Sequence, residues 1–252
     1  MSKVYRALER AEREQRVHKP DELTITDKLS RTQVPVFHRP SDPVSLREYE
    51  RLGTEVTLAA SESSVRTIMV TCSHHGEGAS TVAANLALTL AERGRLNILL
   101  VDTNFRRPAL RELFDVDKRA GLTELISKEV TWGGAVSETA IPNLHLLASG
   151  KPPANPSHLF ELERFAGLLE EFRTNFDITI FDAAPLFPYA DALTLSSKVD
   201  RVVLVVRAER TRRDALGRAK EELEKTGARI FGVVLNRKRS YVPRRLRRYF
   251  NL

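Results

Sequence analysis

The chain has 252 residues, 42% hydrophobic and 29% charged, which suits one globular domain with appendages. A single cysteine, Cys72, excludes an internal disulfide and a cysteine-based zinc module and points to a reducing compartment, while the lack of any apolar run of roughly 18–20 residues and the charged start MSKVYRALERAEREQ argue against a secreted or membrane-spanning chain. The net charge of +7 sits at the ends, with seven basic and no acidic side chains in residues 237–252, +3 in residues 1–19 and −3 between them, which disfavours a basic nucleic-acid-binding surface across the fold.

Residues 1–17 read as a helix with a narrow apolar stripe of Val4, Leu8 and Ala11. Such a short amphipathic segment is marginal alone and is expected to dock on a partner or a second copy of the chain. Residues 18–43 carry Pro20, Pro35, Pro40 and Pro43 and read as a linker. A domain follows over residues 44–240, opening with a helical pattern from Val44 to Ser61. Apolar runs at 67–72, 97–102, 143–148, 177–183, 201–207 and 229–236 alternate with helical patterns at 80–93, 163–174, 190–197 and 211–225. Most of the runs are continuous, as in strands buried on both faces. The expected fold class is therefore α/β: a doubly wound, mostly parallel sheet with flanking helices and ligands at the carboxyl ends of its strands.

The first run leads into SHHGEGASTVAANLALTLAERG, a glycine turn opening an amphipathic helix. Backbone N–H groups at such a junction surround phosphate oxygens, with Gly76 and Gly78 permitting close approach and the Ser80 hydroxyl placed for Mg²⁺. Ala79 stands where a phosphate-binding loop carries lysine, and GEGAS alone fits a structural turn equally well. Two further stretches favour the phosphate reading. LLVDTNFRRP and ITIFDAAP place Asp102 and Asp182 at the ends of two other runs, where paired carboxylates can form a Mg²⁺-phosphate pole. Either aspartate by itself suits a turn cap.

Residues 44–240 resemble the cytoplasmic tyrosine kinases of bacterial capsule and exopolysaccharide synthesis (BY-kinases), relatives of the MinD and ParA P-loop ATPases. The resemblance rests on GEGASTVAANLALTLA, ILLVDTNFRRP and FDITIFDAAPLFPYADALTLSSKVDRVVLVVR, with GLTELI, LLASGKPPANPSHLFELERF and GVVLNR in the family's order. It implies a P-loop fold with ATP or ADP and Mg²⁺ as cofactors. Gly76, Glu77, Gly78, Ala79, Ser80 and Thr81 would lie at the phosphates, Asn236 at the adenine, and Ser80, Asp102 and Asp182 at the metal, the two aspartates being catalytic. It also implies autophosphorylation of C-terminal tyrosines, here Tyr241 and Tyr249, a homo-oligomer, and a membrane polysaccharide co-polymerase or chain-length regulator as partner.

The departures from the family pattern are informative. Ala79 replaces the Walker A lysine, His74 takes the place of the extra lysine of MinD-like proteins, and Asn104 replaces an acid. The family's E-x-x-R-x-x-R oligomer contact reads Arg47, Glu50, Gly53 or, shifted by one residue, Glu48, Arg51, Thr54. Losing one charge-assisted hydrogen bond, worth roughly 1.5–3 kcal/mol, lowers nucleotide affinity by about one to two decades. Arg106 or Arg107 is a candidate substitute cation.

In residues 241–252, Pro243 can start a helix that places Val242, Leu246, Tyr249 and Phe250 on one face, flanked by Arg244, Arg245, Arg247 and Arg248. This is the pattern of a basic segment lying on an anionic membrane surface. The combined reading is a degenerate, weakly active or inactive kinase homologue, cytoplasmic and peripheral at the inner face of the cell membrane, that regulates or scaffolds exopolysaccharide polymerisation and export. The alternatives are an active tyrosine autokinase of that pathway and a MinD/ParA-like positioning ATPase.

Overall fold

The computed structural model describes residues 42–117 and 119–238. The expected N-terminal helix, nearly all of the linker, and the tail with Tyr241, Tyr249 and the membrane-contact residues Val242, Arg244, Arg245, Leu246, Arg247, Arg248 and Phe250 lie outside the described residues.

The domain opens with helix α1 (Pro43–Ser63). The Asp42 carboxylate accepts hydrogen bonds from the N–H groups of Val44 and Ser45, and Pro43 occupies the first turn, where its missing N–H costs nothing. Ser64 ends the helix in the left-handed region at φ 52°. Seven strands follow: β1 (Thr67–Cys72), β2 (Ile98–Asp102), β3 (Val136–Glu138), β4 (Leu144–Leu147), β5 (Ile178–Asp182), β6 (Arg201–Arg207) and β7 (Ile230–Asn236). They form one sheet in the order β3-β4-β2-β5-β1-β6-β7, and every pairing is parallel except β3 with β4. The doubly wound, mostly parallel sheet expected from the sequence is therefore present.

The continuity of the apolar runs has a direct structural cause. Ile68, Val70, Ile98, Leu100, Ile178, Ile180, Val203 and Val205 pack on one side of the sheet with α1 and with α2 (Ala79–Glu92). Met69, Leu99, Val101, Phe181, Val202 and Leu204 face the opposite layer. That layer is built mainly by α4 (Leu122–Ile126), α6 (Pro156–Glu161), α7 (Glu163–Asn175), α8 (Asp191–Ser196) and α9 (Arg213–Lys225). Two short helices complete the described elements, α3 (Leu110–Leu113) and α5 (Trp132–Ala135).

Ala83, Ala87 and Ala91 recur at four-residue spacing on α2 and are fully buried or nearly so. Their small side chains let the helix lie close to the sheet and hold its first turn against the end of β1. At the opposite end of the sheet, Asp200 accepts hydrogen bonds from the N–H groups of Arg66 and Thr67, the Thr67 hydroxyl and the Arg173 guanidinium. Burial alone would raise the pKa of Asp200, but these donors outweigh it and hold the carboxyl below its ordinary value.

Candidate functional site

The loop between β1 and α2 turns through two glycines in the left-handed region, Gly76 at φ 84° and Gly78 at φ 98°. Gly78 leaves no room for a side chain, because a Cβ there would collide with the Asn236 amide. That amide donates to the Glu77 carbonyl at 2.9 Å, so Asn236, at the end of β7, braces the loop directly. Glu77 is 5% exposed and is folded back into the loop: its carboxylate accepts from the N–H groups of Ser73 and His74 and from the hydroxyls of Ser73 and Thr211. Thr211 lies more than 130 positions along the chain from Glu77, and no local sequence signal marks the pairing. The loop continues into α2, so the first-turn N–H groups and the positive end of the helix dipole meet at Ala79, Ser80 and Thr81. Ala79 itself is buried at 6% exposure and packs with the core beneath α2.

Asp102 and Asp182 end neighbouring strands, β2 and β5, and are paired in register. The Asp102 carboxylate accepts from the N–H groups of Asn104, Ala109 and Leu110 at 3.0–3.1 Å. Burial nonetheless pushes its pKa up to about 6 against these three lowering bonds. Asp182 is fully buried, and both its carboxylate oxygens lack a hydrogen bond of ordinary geometry. Burial first, and the Asp102 charge second, raise its pKa well above the usual carboxylate range. The Ser80 side chain opposes that rise, which makes Ser80 the polar group of α2 that acts on Asp182. Among the described residues no cationic side chain is paired with either aspartate.

The two candidate replacement cations separate clearly. Arg106 is held away from the loop: its guanidinium binds the buried Asp191 carboxylate through Nε at 2.8 Å and lies 3.6 Å over the Tyr189 ring. Asp191 also accepts from the Ser157 hydroxyl, so this clamp ties the segment after β2 to α8 and α6. Arg107 is exposed and its charge is felt at His75. Slight burial first and Arg107 second lower the His75 pKa, which favours the neutral ring at the loop. Arg207, at the end of β6, reaches the outside of the loop, with Nη1 3.5 Å from the Gly76 carbonyl.

The structure thus brings Gly76 to Thr81, Asp102, Asp182 and Asn236 to one end of the sheet. The residues fit a Mg²⁺-nucleotide: the Ser80 hydroxyl and two carboxylates, one of them the buried and orphaned Asp182, lie beside a loop of N–H donors. Among the described residues no cluster of three or more His, Cys, Asp or Glu side chains is set to hold a metal ion. No helix among the described residues is long and apolar enough to cross a membrane.

No family model matches the chain. It is 31% identical over 201 residues to the tyrosine-protein kinase YwqD of Bacillus subtilis, covering 79% of this chain and 84% of that one. The chain belongs to the bacterial tyrosine-kinase (BY-kinase) family. A crystal structure of the chimerical protein CapA2B2 superposes with a TM-score of 0.75 at 33% identity, covering 82% of this chain and 91% of the chimera. The septum site-determining protein MinD of Pyrococcus horikoshii, solved with Mg-ADP, superposes with a TM-score of 0.59 at 21% identity over 72% of this chain and 75% of MinD, a likeness of fold. The domain is therefore a P-loop domain of the MinD and BY-kinase type, as its sequence resemblance implied.

Proposed function

We propose that this BY-kinase homologue is a degenerate kinase that regulates or scaffolds capsule or exopolysaccharide polymerisation and export, without efficient tyrosine phosphorylation. The observation that carries the reading is the uncompensated acidic pole. Asp102 and Asp182 lie side by side without a paired cation, and the buried Ala79 stands where a lysine would reach the phosphates. The glycine turn at Gly76 and Gly78 and the helix start at Ser80 and Thr81 support a Mg²⁺ complex of ATP or ADP, bound weakly, as the ligand class; MinD was solved with Mg-ADP. Mg²⁺ would supply charge neutralisation between phosphate and the two carboxylates. Family membership supports a membrane polysaccharide co-polymerase as partner, and with it a peripheral position at the inner face of the membrane.

Calorimetric titration with Mg-ATP and Mg-ADP, paired with phosphotyrosine detection, tests this. Wild type is expected to bind in the high micromolar range or weaker, and Ala79→Lys to bind about 10- to 100-fold tighter, in line with one restored charge-assisted contact. The intact pair Asp102 and Asp182 is the observation that favours an active autokinase instead. Strong phosphotyrosine on the wild-type chain, lost in Asp102→Ala, would establish that alternative.

A further inference from the structure

β7 forms one margin of the sheet among the described residues and is paired only with β6. Protein sheets ordinarily blunt such an edge with a charge, a proline or a short strand, because its free main-chain groups invite another strand. This edge is seven residues of IFGVVLN without charge or proline. Its irregularity lies near the start, between the partners of Val202 and Val203, and leaves Gly232 to Asn236 in regular register. Val233 and Leu235 are 52% and 55% exposed, two of the four large hydrophobic residues most exposed among the described residues.

The carbonyl of Asn236 accepts from the Ala208 N–H and so faces β6. Strand alternation then turns the main-chain N–H and C=O of Val233 and Leu235 away from β6, toward the open side. Basic residues close the strip at both ends. Arg229 precedes it, Arg237 and Lys238 follow it, all three are exposed, and residues 229–238 hold no acid. Arg229 and Arg237 are eight residues apart, about 26 Å along a strand.

We propose that the outer edge of β7 is a docking site for an extended segment of another protein, added as a further strand, whose apolar alternating core is bounded by acidic residues. The charge pattern selects this occupant. A second copy pairing antiparallel about Val233 would set each Arg229 against the other copy's Arg237, and like charges at facing positions destabilise a strand pair. The chain's own residues 239–252 carry five further arginines and no acid, so they too would add like charge. An acidic-ended strand satisfies the free main-chain groups, covers Val233 and Leu235, and meets the arginines at both ends.

The test uses the full chain and a synthetic nine-residue peptide of alternating valine and threonine with an aspartate at each end. A twin peptide ends in lysines. Affinity is read by titration, and amide hydrogen exchange locates the site. The acidic-ended peptide is expected to bind at least ten-fold tighter than its twin and to slow exchange at the amides of Val233 and Leu235. Arg229→Glu combined with Arg237→Glu, both at exposed positions, should reverse the preference while the melting temperature stays unchanged. Val233→Lys should remove binding of the acidic-ended peptide. Equal affinity for the two peptides, or slowed exchange elsewhere than on β7, overturns the proposal. So do edge amides already protected in the free chain: concentration-independent protection would assign the edge to residues 239–252, and concentration-dependent protection to a second copy.

Discussion

Replacing Asp182 by asparagine should stabilise the nucleotide-free protein, and the gain should depend on pH. Two neighbouring buried carboxylates without a paired cation favour the protonated form in the folded state. Between the ordinary aspartate pKa and the raised folded values, the native protein holds more protons than the unfolded chain. Stability is therefore fully present below about pH 4 and is lost as pH rises through about 6 and beyond. The shift at Asp102, from 3.8 to about 6, is about two pKa units, which sets a scale of about 3 kcal/mol for one such buried carboxylate. Asp182→Asn removes one charge outright and relieves the repulsion on the other. We expect about 1–3 kcal/mol of stabilisation at about pH 8, or about 3–10 °C in melting temperature for a domain of this size. The gain should shrink toward zero only as pH falls to about 4 and below, where the aspartates hold protons in the folded and the unfolded chain alike. Thermal melts of wild type and Asp182→Asn across that range, in chelator and without nucleotide, measure it. An unchanged or lower melting temperature at about pH 8, or a difference that does not vary with pH, would refute the reasoning.

Gly78→Ala should cost about 1–3 kcal/mol and loosen the loop, since it combines a φ of 98° with a collision against the Asn236 amide; urea unfolding and faster proteolysis near residue 78 would show it. Asp200→Ala leaves the donors of Arg66, Thr67 and Arg173 unmatched at the far end of the sheet and should cost about 2–4 kcal/mol by the same unfolding measurement, without altering nucleotide titration. The Asp200 carboxyl has a lowered pKa, so its contribution is present above the ordinary aspartate pKa and lost in acid, and the cost of Asp200→Ala should fall as pH drops below about 4.

The fold was legible where the physics is local and repetitive. Continuous apolar runs mark strands buried on both faces, and each of the six runs read from the sequence contains or overlaps an observed strand. β3, three residues long and antiparallel, is too short to show a period, and the same holds for the helices of four to six residues between β2 and β5, whereas the helical pattern at 190–197 coincides with α8. At the site, the glycines and the two aspartates were legible because each stands at the end of a strand signal. The bond from Thr211 to Glu77 and the clamp of Asp191 on Arg106 join distant segments, so nothing within a window of sequence reveals them. Arg106 and Arg107 were equivalent candidates in sequence; only the position of Asp191 and Tyr189 separates them.

That separation bears on what the loss of one lysine means. The residues that shape the loop are intact and mutually braced, through Glu77, Asn236 and the glycines, so its geometry does not depend on the missing side chain. What the lysine would have contributed is charge at a place where two carboxylates already stand close together. Arg106 is committed to Asp191, and Arg207 touches the outer, carbonyl side of the loop, where it braces the backbone. Arg107 acts on His75 at the loop, and it is exposed, where solvent weakens its effect on a phosphate. The helix terminus adds only about half a charge. On the proposed reading, a nucleotide entering this site would bring further negative charge to an acidic pair with no paired cation among the described residues, so its binding is expected to depend on a divalent cation more strongly than in a loop with its own lysine. Shape without charge is the condition in which a phosphate loop can still sense a metal-nucleotide while stabilising little of the charge that builds up during phosphoryl transfer.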